Sequence, residues 1–241
     1  MRLKLYVING SHPCAAAEKA LELKGLDYSR IEYPPVLHAP IQRVTFGVRT
    51  VPSLRIDGSE KISGTRAIMR RLDELEPEPL LYPPDPNERA AVEDAERWGD
   101  ETFQPVGRTL LWAAFIHSPG AMVSYAEGSK LPFSAFAIRT TGRGAAQIAV
   151  RVNRTGDGPA RRDLRLLPGY LSKIDGYVGS GTIGDLNRPN AADLQILSTV
   201  ALLMTIEDVL PLIDGRPCAE VARALFPNTP GRLPAGALPA A

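Results

Sequence analysis

The sequence has little of what marks several large classes of protein. Its two cysteines among 241 residues are too few for a disulfide scaffold and indicate a reducing compartment. Three scattered histidines lack the spacing of metal ligands, so we expect no metal. With 28 basic and 27 acidic residues the net charge is +1, whereas a nucleic-acid binder usually shows a basic excess, so we expect no nucleic acid. The apolar runs are too short for a membrane span and the start lacks a signal-peptide pattern, so we expect a cytoplasmic protein with no membrane partner.

The apolar patterning of the first 76 residues predicts two kinds of secondary structure in alternation. The order is β-α-β-α-β-β-α, which is the order of a thioredoxin fold, and residues 1–76 are therefore predicted to form a thioredoxin-like α/β domain. The predicted elements are strands at 3–8, 28–33, 53–56 and 61–63, helices at 14–24 and 65–75, and an irregular or helical connection at 38–46.

The second part of the chain is predicted to be an all-α helical bundle. Five prolines between residues 76 and 86 indicate a stiff linker, which we place at 77–86. The helical domain is predicted at 87–227, beginning with a long helix to about residue 117 that is kinked at Pro105. Asn190 and Asp193 form a helix-capping box. The tail at 228–241 is rich in proline, glycine and alanine, and we expect it to be disordered.

A possible site of sulfur chemistry lies at Ser11 and Cys14, where the first strand meets the first helix. A helix N-terminus offers free backbone N–H groups and positive partial charge, and both stabilise a thiolate. Ser11 cannot form a disulfide, but its hydroxyl can donate to the thiolate of a bound ligand; alternatively it only caps the helix. Cys14 is either a competing nucleophile or a small buried residue.

Two further short motifs belong to the same domain. Val51-Pro52 precedes a short strand, and a cis peptide bond there would turn the backbone of Val51 outward to pair with a peptide-like ligand; alternatively Pro52 only begins the strand. Gly64-Thr65 opens the third helix, where Thr65 and the backbone N–H groups either hold a carboxylate or only cap the helix.

In this order and spacing the motifs resemble those of the cytosolic glutathione transferases. Ser11 with Pro13 and Cys14 is similar to the family's Ser-or-Cys site, Val51-Pro52 to its Val-Pro, and the sequence from Gly64 to Ile68 to the start of its third helix. The resemblance implies a thioredoxin-like domain followed by an all-helical domain, a homodimer, and glutathione as co-substrate. The cysteine of glutathione would pair with Val51, and its γ-glutamyl carboxylate would sit at Thr65.

The resemblance also implies roles for neighbouring residues. His12 and Pro13 are expected near the ligand, and His12 is expected to be a partly exposed loop residue. His38 lies where the family often contacts the glycine end of glutathione. Gly64 replaces an acidic residue or glutamine, which removes a contact to the ligand's amino group, so the thiol is glutathione or another low-molecular-weight thiol. Tyr6 is predicted to be structural, because the family's tyrosine aligns one residue later on the strand and therefore on the opposite face.

Three functions remain open at this point. The first is a transferase that activates a bound thiol beside Ser11 for attack on an electrophile lying against the helical domain. The second is a thiol-disulfide reductase or deglutathionylase that uses Cys14. The third is a non-catalytic binding protein that kept the fold, since a fold does not fix a function.

Overall fold

The computed structural model describes residues 1–35, 37–132 and 135–240. Its first part is a mixed sheet with helices, in the order that the sequence predicts. The strand order is β2-β1-β3-β4, with β1 and β2 parallel and the remaining neighbours antiparallel. The elements are β1 (Leu3–Val7), α1 (His12–Leu23), β2 (Tyr28–Glu32), α2 (His38–Phe46), β3 (Ser53–Ile56), β4 (Glu60–Ser63) and α3 (Thr65–Leu75). This is a thioredoxin-like domain.

The two faces of β1 are covered by different partners. Leu3, Leu5 and Val7 point to one face and are buried with the alanines of α1. On the other face Tyr6 stacks on Tyr33 and meets Phe46 of α2 edge-on, with ring centroids 5.7 and 4.9 Å apart. The two-residue period of a strand produces this division. Tyr6 therefore packs between the sheet and α2.

The second part of the chain is helical. Within the described ranges its helices are α4 (Pro86–Trp98), α5 (Gln104–His117), α6 (Met122–Tyr125), α7 (Ala135–Asn153), α8 (Asp157–Gly179), α9 (Ala191–Leu203), α10 (Leu210–Ile213) and α11 (Pro217–Leu225). The break expected at Pro105 lies earlier, in a π-helical turn at Gly99–Phe103. Pro105 follows this turn directly as the second residue of α5, and it has no N–H to donate to the preceding turn. None of the helices in the described chain is long and apolar enough to cross a membrane.

Helix α9 joins the two parts of the molecule. Every residue from Ala191 to Leu203 is buried, and the helix packs against α1 of the first domain and against α4, α5 and α11 of the second. Two glycines permit the close approach: a Cβ on Gly99 would lie 2.7 Å from Ile196 Cγ1, and one on Gly107 would lie 2.9 Å from Thr199 Cγ2. The two domains therefore share one hydrophobic core.

The tail corrects an expectation from composition. Residues 228–240 are not disordered: Leu233 and Ala237 are buried, and the Leu233 N–H donates to the Thr205 carbonyl oxygen at 2.8 Å. The carboxylates of Glu207 and Asp208 accept hydrogen bonds from backbone N–H groups of this segment. The richness in proline, glycine and alanine suggested disorder, but the carboxylates of Glu207 and Asp208, outside the tail, accept hydrogen bonds from its backbone N–H groups. Ala241, the last residue of the predicted tail, lies outside the described residues.

Candidate functional site

Ser11 occupies the N-cap position of α1 but does not cap it with its side chain. Its backbone is extended, its carbonyl oxygen accepts the Ala15 N–H at 2.9 Å, and its own N–H donates to the Ile8 carbonyl oxygen at 3.2 Å. Among the described residues, no backbone N–H of α1 donates to the Ser11 hydroxyl. The side chain is half-buried. The hydroxyl therefore caps no N–H of this twelve-residue helix. It is hydrogen-bonded to the Cys14 thiol instead and lies next to the N-terminal N–H groups of the helix.

The loop that carries Ser11 is held by the helical domain. The Asn9 side-chain amide donates to the carbonyl oxygens of Tyr125 and Glu127, both at 2.9 Å. Gly10 has a φ of +71°, and a Cβ there would lie 3.3 Å from the Tyr125 carbonyl oxygen. A glycine at position 10 thus allows the segment after α6 to close over the loop.

Cys14 is inside the core of the first domain. It is 1 % exposed, and burial raises the pKa of its thiol to about 12, although hydrogen bonds from Ser11 and the Ile8 backbone oppose the shift. The thiol is therefore protonated at neutral pH. Cys14 lacks the exposure and the thiolate character of a reactive cysteine.

His12 lies in the first turn of α1 and is buried, not a partly exposed loop residue as expected. Burial and the nearby charge of Arg108 lower the pKa of His12 to about 3, so the imidazole is neutral. Its Nε2 has no hydrogen-bond partner among the described residues. The burial of His12 could not be predicted from neighbouring residues, because His12 packs against α5, which lies almost a hundred positions later in the chain.

The start of α3 contacts the start of α1. The Thr65 hydroxyl donates to the Pro13 carbonyl oxygen at 3.2 Å, and Thr65 is 4 % exposed. Gly64, before it, has a φ of +90°, a conformation that favours glycine. The hydroxyl of Thr65 is thus used between two helices, and an anion at this end of α3 would meet backbone N–H groups.

The Val51–Pro52 peptide bond is cis, as predicted. Pro52 is buried, and its carbonyl oxygen accepts the Gly64 N–H at 3.0 Å, which joins the start of β3 to the start of α3. Val51 is half-buried. One hydrogen bond thus joins Gly64 to Pro52, and another joins Thr65 to Pro13, so that the start of α3 contacts both β3 and α1.

His38 begins α2 on the other side of the sheet. Burial, followed by the charge of Arg49, lowers the pKa of His38, and its Nδ1 has no partner in the described chain. Gln42, one turn later, is fully buried, and its Oε1 accepts the Ser53 hydroxyl at 3.2 Å. Gln42 therefore ties α2 to Ser53, the residue that follows Pro52.

A groove adjoining Ser11 has a volume of about 420 Å³. Ser11 and His12 line it together with Glu18 of α1, Ser198 of α9 and residues 225–230 before and within the tail. Val51, Pro52, Gly64 and Thr65 do not line it. The predicted thiol-binding motifs, Val51-Pro52 and Gly64-Thr65, therefore do not share this groove with Ser11.

Sequence reasoning missed one charged residue beside the site. Arg108 of α5 is half-buried and its charge helps to lower the pKa of His12, and no motif or spacing marks it in the sequence. Across the ranges 1–35, 37–132 and 135–240, no group of three or more His, Cys, Asp or Glu side chains is arranged to hold a metal ion.

The comparisons with known proteins agree with this architecture. Residues 5–80 match the family model of the glutathione S-transferase N-terminal domain. No curated protein shows significant sequence similarity to the chain.

Solved structures extend the likeness to the helical part. A glutathione S-transferase from Rhodospirillum rubrum F11 is 19 % identical, with 93 % of this chain and 87 % of that chain covered and a TM-score of 0.63. The beta-etherase LigF from Sphingobium sp. strain SYK-6 is also 19 % identical, covering 92 % and 98 %, with a TM-score of 0.63. A glutathione S-transferase from Methylobacterium radiotolerans, in complex with glutathione sulfonate, is 17 % identical, covering 100 % and 96 %, with a TM-score of 0.57. At these identities the likeness establishes a shared fold.

Proposed function

We propose that the chain is a glutathione S-transferase-like protein that activates a low-molecular-weight thiol and transfers it to an electrophile. In support, residues 5–80 match the N-terminal domain of that family and the two-domain fold is shared with solved glutathione S-transferases. The thiol is glutathione or a related compound, bound by the first domain, residues 1–76. The electrophile lies beside the start of α1, against the helical domain. The observation that carries the proposal is the uncapped Ser11 hydroxyl at the N-terminus of α1.

The chemistry asked of Ser11 is modest. Its hydroxyl donates a hydrogen bond to the sulfur of the bound thiol and favours the thiolate, while the thiol proton passes to solvent. The thiolate then forms the new carbon–sulfur bond, and the leaving group of the electrophile departs with the electron pair. Lowering a thiol pKa from about 9 towards neutrality raises the thiolate fraction at pH 7 by up to roughly a hundredfold.

The proposed thiol site uses backbone more than side chains. At the start of α3 the N–H groups and the positive end of the helix would hold a carboxylate, since the Thr65 hydroxyl is already bonded to Pro13. Val51 would pair with the backbone of the ligand. His38 and the exposed Arg49 supply a polar, basic margin for a second carboxylate. Gly64 offers no side chain to the ligand, which leaves room for a thiol other than glutathione.

A non-catalytic binding protein is the second candidate. The bond between the Thr65 hydroxyl and Pro13 removes one polar contact from the ligand site, and this favours a chain that kept the fold without tight thiol binding. The reductase based on Cys14 is not favoured, because the thiol is buried and protonated.

We also propose that two copies of the chain form a homodimer and that the protein works in the cytoplasm. Both rest on membership of the family. Sedimentation at micromolar concentration tests the first, and a monomer would contradict it. Fractionation of the source cells tests the second.

Steady-state conjugation of several thiols to a generic electrophile tests the proposed reaction. We expect Ser11→Ala to lower kcat/KM roughly ten- to a hundredfold, because a hydrogen bond to a charged acceptor contributes about 1.5–3 kcal/mol. Cys14→Ala is the matched control and should keep most of the activity. If Cys14→Ala abolishes turnover and Ser11→Ala does not, the result favours the reductase hypothesis over the transferase. A wild type that binds and conjugates no thiol supports the non-catalytic candidate.

A further inference from the structure

Ser11 is the last residue of a tight turn formed by residues 8–11. Its N–H donates to the Ile8 carbonyl oxygen at 3.2 Å. Asn9 and Gly10 lie between them, and the φ of +71° at Gly10 is the positive value that a type II turn requires at its third residue. A turn sets the direction in which the chain leaves it. The placement of Asn9 therefore bears directly on the direction of Ser11.

The side chain of Asn9 is held from two sides. Its amide nitrogen donates to the carbonyl oxygens of Tyr125 and Glu127, both at 2.9 Å. Its oxygen accepts from Arg30 at 3.0 Å, and Arg30 is itself paired with two carboxylates. An amide that uses both its donors and its acceptor is fixed in one orientation. Asn9 thus fastens the turn to the end of α6 in the helical domain.

Tyr125, at the end of α6, is in turn held by the C-terminal tail. A Cβ on Gly231 would lie 2.3 Å from Tyr125 Cε1, so the ring packs directly on the backbone of the tail. The Tyr125 hydroxyl is hydrogen-bonded to that of Thr205 at 2.5 Å. The Arg232 N–H of the tail donates to the neighbouring Ser124 hydroxyl at 2.9 Å. The tail therefore holds α6 in the position from which it bonds Asn9.

We propose that the C-terminal tail, through Tyr125 and Asn9, fixes the turn that carries Ser11, which makes Asn9 a positioning residue for the Ser11 hydroxyl. This rests on the proposed thiol activation, in which that hydroxyl donates to the bound sulfur. A hydrogen bond weakens steeply with misalignment, so a turn that tilts freely places the hydroxyl correctly for only part of the time. The tail, although far from Ser11 in the sequence, is therefore part of the site.

The first variant breaks the contact between the turn and α6. Asn9→Asp keeps the oxygen that accepts from Arg30, but it replaces the donor to two carbonyl oxygens by a second oxygen. Its matched control is Asn153→Asp, which removes the amide donor to the Ala149 carbonyl oxygen at the end of α7. Both changes turn a half-buried amide into a carboxylate, and only the first touches the turn.

The second variant breaks the contact between α6 and the tail. Gly231→Ala forces a Cβ against the Tyr125 ring. Its matched control, Gly236→Ala, lies in the same tail at a φ of +81°, compared with +104° at Gly231, so it introduces the same kind of backbone strain. A Cβ at Gly236 would have no atom of the described chain within 4 Å. A difference between the two alanine variants therefore reports the contact with Tyr125.

Deuterium exchange of the Ser11 N–H, followed by NMR without any thiol, measures how firmly the turn is held. We expect exchange about tenfold faster in Asn9→Asp and in Gly231→Ala, relative to the amides of α9, and no change in the two controls. Unchanged exchange in either variant overturns the proposal, whether or not the protein conjugates thiols. Exchange that rises equally in α9 also overturns it, because the loss is then one of overall stability.

The pKa of bound glutathione then shows whether the turn acts through Ser11. We expect it to rise by about half a unit to one unit in Asn9→Asp and in Gly231→Ala, and the double variant with Ser11→Ala to show no more than the rise of Ser11→Ala alone. An unchanged pKa in Asn9→Asp, where Ser11→Ala raises it, overturns the proposal. If Ser11→Ala leaves the pKa unchanged, the proposed function fails instead, and the exchange measurement still decides whether the tail fixes the turn.

Discussion

At the start of α9, Asn190 and Asp193 bond each other's backbone N–H groups, whereas at the start of α1 the Ser11 hydroxyl caps no backbone N–H in the described chain. The Asn190 side chain accepts from the N–H groups of Ala192 and Asp193, and the Asp193 carboxylate accepts from those of Asn190 and Gly184. Both helices lie in the core. The N-terminal N–H groups of α9 are capped by side chains, whereas the side chain of Ser11 caps none of those of α1.

The difference separates a folding element from a functional one. A closed cap satisfies orphan donors and stabilises a helix, and nothing remains to contact a ligand. An open cap gives up that stability and keeps donors and positive partial charge for an anion. If this is correct, changes at α9 should act on stability, and changes at α1 should act on chemistry.

The largest effect on stability is expected from Asp193→Ala. The change leaves the partly buried N–H groups of Asn190 and Gly184 without the buried carboxylate that accepts them, which should lower the free energy of unfolding by about 2–4 kcal/mol. Denaturant unfolding measures it. The matched control is Asp85→Ala at the exposed cap of α4, which should cost about 1 kcal/mol. Equal losses at the two positions would remove the distinction between a buried and an exposed closed cap.

A pH dependence is expected from the same carboxyl group. Burial raises the pKa of Asp193 to about 6, against the opposing hydrogen bonds from Asn190 and Gly184. A raised pKa in the folded state means that folding favours the protonated form. Stability is therefore highest below the ordinary pKa of 3.8 and falls as the pH rises through about 6. We expect the wild type to lose about 2 kcal/mol relative to Asp193→Asn between about pH 4 and pH 7. A constant difference between the two proteins across this range would contradict the assignment.

At the start of α1, Cys14 should behave as a core residue. Cys14→Ala removes one buried sulfur and should cost about 1 kcal/mol of stability. Because burial raises the pKa of the thiol to about 12, alkylation of the native protein at neutral pH should wait for unfolding. Mass spectrometry after timed alkylation, with and without denaturant, measures this. Rapid modification of native Cys14 would instead show a reactive thiolate.

The smallest effect on stability is expected from Ser11→Ala. A serine that caps a helix usually contributes about 1 kcal/mol, but the Ser11 side chain makes no such bond here. The free energy of unfolding should change by less than about 0.5 kcal/mol. The same denaturant titration used for Asp193→Ala provides the value. A loss of 1 kcal/mol or more would mean that the hydroxyl is a structural cap and that the contrast with α9 is wrong.

The sequence predicted those features that depend on neighbouring residues. The element order of the first domain, the cis Val51–Pro52 bond and the Asn190–Asp193 cap each follow from short patterns, and all are present. The expectations that failed depend on distant partners. His12 is buried because α5 covers it, and the tail is ordered because Glu207 and Asp208 bond its backbone.

The candidate site shows the same limit. Ser11 could be singled out as a candidate because it lies at a predicted strand-to-helix junction, and the structure has that junction. Arg108 was not found, because its effect on the pKa of His12 arises only when α5 packs against α1. The bond from Thr65 to Pro13 likewise joins two helices fifty-two residues apart. Periodicity and motifs report local structure, whereas these contacts depend on how the helices pack.

The ionisation of glutathione bound to the protein tests the role of Ser11 most directly. The ultraviolet absorbance of the thiolate, followed against pH, gives the pKa of the bound thiol in the wild type, in Ser11→Ala and in Cys14→Ala. We expect a pKa below that of free glutathione in the wild type and in Cys14→Ala, and an upward shift of about one to two units in Ser11→Ala, which corresponds to a lost hydrogen bond of about 1.5–3 kcal/mol. The same pKa in the wild type and in Ser11→Ala would contradict the account, because the thiolate would then owe its stability to other groups.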